Sequence, residues 1–457
     1  MINPKKKADS CPAGQPFFLS DESAKRVDGK GRRFWAIAGQ LLLLLLIAMG
    51  VQYGTSNQRV PLALQVQGQA RPSAAATLMQ RAPLQTRIPE PQIRVNVTPG
   101  GTDSFELEVR GTYRLSALDS NRELPIQTSL KRLVVSATTK GLKLGTTQTT
   151  ETQLEIVPEE SPSVRVDGHL YRGRMRLFRR TDGKVSAVNV LPLEEYLASV
   201  VDSEMPARFP EAARQAQAIV ARTYALYQIQ QANPKSVYDL MSSQRSQKYL
   251  GVEYFDKARR RLAGESESSR RATRSTRGVI CTLNDQLFCT YYSAVCGGKT
   301  IDGKEVFKDA TAALKSTRCE WCRESPYYRW TTELPRDVFE ARTLSRSEKG
   351  IPLGIQSIQQ TVDPGDGRIC QFKLNSREQH LLLDGVQLRD RLPTGTLLSP
   401  HFHVVLEHDK VTFKGRGHGH GVGFCQWGAK GMAEAGHSYS AIVHHYFDGV
   451  KLKTLNY

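Results

Sequence analysis

Three groups of residues in this 457-residue chain carry side chains able to do chemistry. The first is Glu204. It follows Leu197, Val200 and Val201 at three- and four-residue steps, on what reads as one stripe of a helix that ends before Met205-Pro206. An ionised carboxylate on an apolar stripe is costly, so its pKa should rise. The negative end of the helix dipole pushes the same way. A carboxylic acid kept protonated near neutral pH is what general-acid cleavage of a glycosidic bond requires. The competing reading is a buried glutamate paired with a basic side chain such as Arg222, and pattern alone favours it.

The second group is Gly415-Arg-Gly-His-Gly-His-Gly-Val-Gly-Phe-Cys-Gln-Trp-Gly. Glycine at every second position from Gly415 to Gly423 lets backbone approach a ligand closely. If the stretch is extended, His418 and His420 point the same way. It then reads as a metal-binding pair, a glycan-contacting loop or a tight turn packed by Trp427, with function ahead of packing. The third group is Cys296-Gly-Gly with Cys319-Glu-Trp-Cys322, three cysteines in zinc-like spacing. A fourth ligand is not evident; Cys289, Cys281 or a histidine could supply it. Metal and disulfide both stand as readings here, with a structural role in either case. No HExxH-like or three-histidine pattern accompanies the cysteines, which argues against a catalytic zinc.

The elements that must position these groups follow from the periodicity. Ile93-Arg-Val-Asn-Val, Phe105-Glu-Leu-Glu-Val, Arg132-Leu-Val-Val-Ser, Ser163-Val-Arg-Val with Asp167-Gly168, and Met175-Arg-Leu-Phe read as strands, so residues 93–190 form a β-rich region. Two helices follow. Leu193, Leu197, Val200, Val201 and Glu204 share one face of the first. Pro210 opens the second, with Ala213, Ala216, Val220, Tyr224 and Tyr227 on one face. Strands return beyond residue 275, with a hairpin around Asn284-Asp285.

Lys and Arg outnumber Asp and Glu by 63 to 45, which suits a polyanionic partner. Residues 34–53 carry no charge, contain the run Leu41 to Leu46, and are long enough to cross a bilayer as a helix. Lys30, Arg32 and Arg33 just before it leave the N-terminus in the cytoplasm. An uncleaved anchor is favoured over a signal peptide, because the preceding segment is long and no small-residue cleavage site follows. The expected organisation is a cytoplasmic tail (1–33), a transmembrane anchor (34–53), a disordered Gln/Ala/Arg/Pro-rich spacer (54–90) and an extracytoplasmic domain (91–455). The fold class is α+β: a β-rich domain with a central pair of helices carrying the acid, preceded by one transmembrane helix. Outside the cytoplasm, nucleic acid is not the expected partner.

Leu193-Glu-Glu-Tyr-Leu-Ala-Ser-Val-Val-Asp-Ser-Glu-Met-Pro resembles the opening motif of the SpoIID (stage II sporulation protein D) family. Glu211-Ala-Ala-Arg-Gln-Ala-Gln-Ala-Ile-Val-Ala-Arg-Thr-Tyr-Ala-Leu, the Gly415–Gly423 segment, Gln426-Trp-Gly-Ala and His445-Tyr-Phe-Asp-Gly extend the resemblance. Asp239, Gln247, Tyr249 and Gly251 match the middle of the domain more loosely.

The resemblance implies a membrane-anchored lytic transglycosylase that cuts peptidoglycan glycan strands, typically peptide-stripped ones, and leaves 1,6-anhydro ends. It makes Glu204 the catalytic acid. Motif membership puts Arg222, Tyr224, Gln247, Tyr249, His418, His420 and Gln426 forward as substrate-binding groups. No cofactor is needed for the chemistry. Some members carry zinc near the site, and here Cys296, Cys319 and Cys322 would hold a structural ion. The histidine expected before the Cys-Gly-Gly element in some relatives is replaced around Tyr292 and Ser293, and Cys425 stands where serine is more usual. Other relatives, the amidase enhancers, stimulate another wall hydrolase, which makes a cell-wall amidase the alternative partner and Glu204 a binding group.

Overall fold

Alternating apolar residues build two sheets in the N-terminal half of the folded region. The computed structural model describes residues 88–124, 130–243, 246–344, 354–363, 368–377 and 380–457. The expected tail, membrane span and most of the spacer lie outside them; within them no helix is long and apolar enough to cross a membrane. The fold is mixed α+β and strand-rich, with seven α-helices among the described residues. It begins by Ile88, whose N–H donates to the Asn456 carbonyl at 3.0 Å.

One sheet has six strands, in the order Leu240–Met241, Gln92–Asn96, Val185–Pro192, Arg174–Arg179, Gln153–Pro158 and Tyr113–Ala117. A second, of eight, is centred on Val164–Val166, Ser104–Val109 and Leu133–Ala137. Ser104–Val109 shows the physical basis: Phe105, Leu107 and Val109 are buried while the residues between them face outward. Asp167 and Gly168, both at positive φ, turn Val164–Val166 back onto His169–Tyr171.

Strand Val185–Pro192 is buried along almost all its length and runs straight into helix α1 (Leu193–Glu204), so the sheet sets the helix's position. Pro206 ends α1, because the residue before a proline is driven out of the helical region, and Met205 is extended. Pro210 is the N-cap of α2 (Glu211–Gln231). Both helices fall where the periodicity places them. The face read for α2 is buried, Ala213, Ala216, Val220 and Tyr224 fully and Tyr227 in part, and most other sides are too, Gln217 and Arg222 included, because α1, α3 (Glu267–Ser275) and the strand Val279–Thr282 surround the helix. Arg214 clamps the turn between α1 and α2, donating to the Met205 carbonyl at 2.9 Å and to Asp202 at 2.7 Å.

The turn at Asn284-Asp285 is present, with both residues at positive φ. Val279–Thr282 nevertheless pairs with the C-terminal strand Lys451–Thr454. A separate core occupies residues 329–416 and includes α4 (Arg336–Leu344) and α5 (Gly385–Arg391). Its first strand, Arg329–Pro335, pairs antiparallel with its last, Lys410–Arg416, so the insertion leaves and rejoins the main body at one place. Beyond it, α6 (Gln426–Glu434) and α7 (Tyr439–Tyr446) return to pack on α2.

Candidate active site and a cluster of four thiols

Glu204, the last residue of α1, is 1 % exposed. Its carboxylate accepts three hydrogen bonds: from the Lys248 N–H (3.0 Å) and the Tyr292 hydroxyl (3.2 Å) to Oε1, and from Gln426 Nε2 (3.3 Å) to Oε2. Among the described residues no cationic side chain forms an ion pair with it. Burial pushes its pKa up to about 7, against the three hydrogen bonds and the Lys248 charge, which pull it down. Arg222, the expected partner under the competing reading, makes a bidentate pair with Glu194 instead, at 2.8 Å on each oxygen.

Two buried polar atoms on the glutamines beside this carboxyl, Gln217 Nε2 and Gln426 Oε1, have no hydrogen-bond partner among the described residues. Gln217 lies 3.4 Å from Gln426, through its Oε1. Each such atom costs about 1–3 kcal/mol when left unmet, so two on the glutamine pair that meets the carboxyl suit a site that receives polar groups.

The other sequence-selected groups divide. Gln426 reaches Glu204 directly. Arg222 and Tyr224, read as lining groups, are fully enclosed; Arg222 also donates to the Val279 carbonyl, and Tyr224 packs edge-on against Tyr292. Gln247 is enclosed too, accepting from Tyr196 at 3.1 Å and donating to the Ala221 carbonyl at 3.3 Å. Tyr249 donates to Asn189 at 2.8 Å. These four hold the scaffold around the acid.

The glycine-histidine segment is not extended. Gly417 has φ +82°, and a Cβ there would stand 2.6 Å from the Val295 carbonyl, so glycine is required for two backbones to touch. The two histidines therefore part: His418 stands against Tyr327, while His420 lies edge-on to Phe307. His420 uses both ring nitrogens on backbone, 2.9 Å from the Tyr292 carbonyl and 3.0 Å from the Val422 N–H. Burial lowers the pKa of His418 to about 4 and of His420 to about 3, so both are neutral at pH 7. His420 thus anchors the strand whose Tyr292 meets Glu204. The pair does not converge on a metal, and Trp427 packs against Phe209.

Cys296, Cys319 and Cys322 come together, and Cys425 joins them: their four buried sulfurs all lie within 4.8 Å of one another. Cys281 and Cys289, offered as the fourth member, are buried elsewhere, beside Thr223 and Gln228. No disulfide forms among the described residues. A hollow of about 240 Å³ opens beside Cys319, lined by Lys299, Arg318, Arg323, Arg368 and Arg416 among others, and by none of the residues that touch Glu204.

Comparison with known proteins bears on this arrangement. The sequence model described as stage II sporulation protein matches residues 181–283. The stage II sporulation protein D of Bacillus amyloliquefaciens is 31% identical over 278 residues, which cover 58% of this chain and 75% of that one. The chain belongs to the SpoIID family. An uncharacterized protein of Brachyspira hyodysenteriae is 27% identical over 359 residues, spanning 77% of this chain and 90% of its own. The amidase enhancer of Bacillus subtilis is 24% identical over 302 residues, 56% of this chain and 40% of that protein.

In this SpoIID-family chain the matched segment contains Glu204, Gln217 and Lys248 but stops short of Tyr292 and Gln426. Gln217 was readable earlier: it is the one polar residue on the Ala213–Val220–Tyr224 stripe. Tyr292 had no such signal, because its strand is only two residues long. Tyr292→Phe removes one donor that favours the ionised carboxylate, so the Glu204 pKa is expected to rise further from about 7. A carbon-13 titration of the labelled glutamate carboxyls checks this; an unchanged or lower midpoint would show that the hydroxyl contact does not form.

Proposed function

We propose that this protein is a membrane-tethered lytic transglycosylase of peptidoglycan, with Glu204 as its acid. The observation that carries the reading is the carboxyl itself, buried, held near a pKa of 7 and ion-paired with no cationic side chain among the described residues. Near neutral pH about half of such groups carry a transferable proton while the rest can accept one.

Protonated Glu204 donates to the oxygen that joins C1 of N-acetylmuramic acid to N-acetylglucosamine, and the C1–O bond breaks. The 6-hydroxyl oxygen of the same muramic residue bonds to C1 and gives its proton to the Glu204 carboxylate. The acid is restored, no water is consumed, and the muramic residue ends as a 1,6-anhydro sugar. One carboxyl suffices, where glycoside hydrolysis uses two. Tyr292, Gln426 and the Lys248 N–H aim the carboxyl, and the unpartnered Gln217 and Gln426 atoms suit sugar hydroxyl or acetamido groups.

The formal net charge of +18 suits the lactyl carboxylate on every second sugar. Under this reading residues 34–53 tether the chain, the N-terminus stays cytoplasmic and the folded region faces the wall.

A second reading, a glycan-binding enhancer of a cell-wall amidase, is favoured by one observation: Glu204 is 1 % exposed, so a reacting sugar must reorder its neighbours to reach it. Digestion of peptide-free and intact peptidoglycan, followed by mass spectrometry of the ends, separates the two. Anhydromuramic ends support the transglycosylase. Reducing ends would mean hydrolysis and a second carboxylate, and retained glycan without cleavage would favour the enhancer.

A further inference from the structure

We propose that the hollow beside Cys319 is an anion site that takes a phosphate group, held between the main body and the inserted residues 329–416. The hollow has a volume of about 240 Å³ and is lined by Lys299, Arg318, Arg323, Arg368 and Arg416. The one carboxylate on its wall, Glu320, is engaged by Arg318. Lys299, Arg323 and Arg416 form no ion pair among the described residues. Elsewhere the arginines are met by acids, as where Arg172 and Arg270 share the buried Glu265. The hollow is therefore a recess of uncompensated positive charge, whose walls focus the field and draw an anion in.

The backbone brings these charges together against their own repulsion. Lys299 and Arg318 stand opposite each other in an antiparallel bridge, so their side chains leave the same face. Like charges directly opposite are destabilising. The bridge is firmly made: the Thr300 N–H donates to the Thr317 carbonyl at 2.8 Å, and the Cys319 N–H to the Gly298 carbonyl at 2.9 Å. Arg368 reaches across from the insertion, its Nη2 donating to the Thr300 carbonyl at 2.6 Å. Arg416 ends the insertion's last strand, with its N–H on the His401 carbonyl at 2.9 Å. Gly298, at φ +113°, closes the wall, and a Cβ there would stand 3.0 Å from the Tyr328 hydroxyl. An anion among these cations turns mutual repulsion into attraction.

The arrangement favours phosphate over carboxylate. A carboxylate offers two oxygens in one plane, which a single guanidinium fork can satisfy. A phosphate group offers three strong acceptor oxygens in diverging directions and carries up to two charges. That suits donors on opposed walls, with Lys299, Arg318 and Arg323 from the body and Arg368 and Arg416 from the insertion. The volume is below the roughly 300–1,000 Å³ that encloses a drug-sized ligand, so the hollow takes the charged group and leaves the rest of its bearer outside. Because both sides donate, a bound phosphate fastens the insertion to the body. The site stands independently of the glycan chemistry, since binding is read without cleavage.

The test is calorimetric titration of the full-length protein, in an uncharged detergent at low salt, with inorganic phosphate, a glycerol phosphate polymer and acetate. Phosphate or the polymer should bind, and more tightly than acetate. Binding of the polymer alone would support the site and mark a phosphodiester as its ligand; binding of inorganic phosphate alone would support it and mark a free anion. Lys299→Gln combined with Arg323→Gln should weaken binding by about tenfold for each charge-assisted hydrogen bond lost. Lys140→Gln, at an exposed lysine outside the hollow, should leave it unchanged. In the wild type, phosphate should also shield Arg323 and Arg416 from phenylglyoxal, read by peptide mass spectrometry, which keeps the test alive if the double variant misfolds. Acetate binding as tightly as phosphate would overturn the ligand class. Undiminished binding in a folded double variant, or unshielded arginines, would overturn the location, and no binding of any probe would overturn the site.

Discussion

Glu204→Gln is expected to abolish glycan cleavage and, at pH 8, to make the protein more stable than the wild type. The activity loss follows from the proton: a carboxamide cannot donate one, and general acid catalysis contributes about 10²–10⁴ in rate. The stability gain follows from burial. The Glu204 pKa is raised to about 7 from an ordinary 4.5, so the unfolded chain ionises first and the native state holds its proton longer. Stability therefore falls as pH rises from the unfolded value to the folded one, and above pH 7 the buried charge costs roughly 3 kcal/mol. A neutral carboxamide of the same shape avoids that cost. Its new N–H group can be met if the Gln426 amide turns over, since Gln426 Oε1 is without a protein partner, and Gln217 Nε2 is equally free to follow. The expected gain is about 1–3 kcal/mol at pH 8, after allowing for imperfect hydrogen bonds, and it should fade toward pH 4.5. Denaturant unfolding at several pH values checks this, alongside product analysis. A variant less stable than the wild type at pH 8 would mean that burial does not raise the Glu204 pKa. A stable variant that still yields anhydro ends would mean that another residue is the acid.

Arg222→Met is expected to cost about 3–5 kcal/mol of stability, because it removes the partner of a buried carboxylate and leaves the charge behind. Arg222 is completely buried, and its two bonds to Glu194 are joined there by the Tyr457 hydroxyl at 2.5 Å and the Gly278 N–H at 3.3 Å. Burial alone would raise the Glu194 pKa; the guanidinium and these donors overcome it and hold the group below its ordinary value. The pair's contribution is therefore present above the unfolded pKa and lost as pH falls through the folded one, so the wild type should lose more stability in acid than the variant does. Replacing both members, Arg222→Met with Glu194→Leu, should recover much of the loss, because no buried charge remains. Urea unfolding of the two single variants and the double variant measures the coupling. Equal, additive losses would show that the pair is not formed. A selective effect on cleavage with unchanged stability would instead return Arg222 to the ligand-binding role read from its motif.

Local order was legible in the residues themselves. The limits of α1 follow from the Leu193–Leu197–Val200 spacing and the stop at Pro206, and the start of α2 from Pro210. Alternation located the strands Gln92–Asn96, Ser104–Val109 and Arg174–Arg179. The unusual position of Glu204, a carboxylate on a buried stripe, was visible for the same reason: periodicity reports which face of an element turns inward.

What periodicity does not carry is the identity of the residue met on the other side. The stripe could not choose between an Arg222 partner and none; that was decided when Glu194, from the first turn of the same helix, claimed the guanidinium. Spacing found three cysteines but not Cys425, which lies 129 residues from Cys296 and is brought there by the pairing of two-residue strands too short to leave a pattern. The glycine-histidine segment read as extended because alternation is a strand signature, yet its glycines serve positive φ and close backbone contact. The insertion at 329–416 leaves the site intact only because its end strands pair antiparallel. Sequence by itself determined the elements and placed the acid on one of them. The tertiary structure alone decided its solvation and its donors, because Gln426 reaches Glu204 across 222 residues and burial is a property of everything packed around the carboxyl.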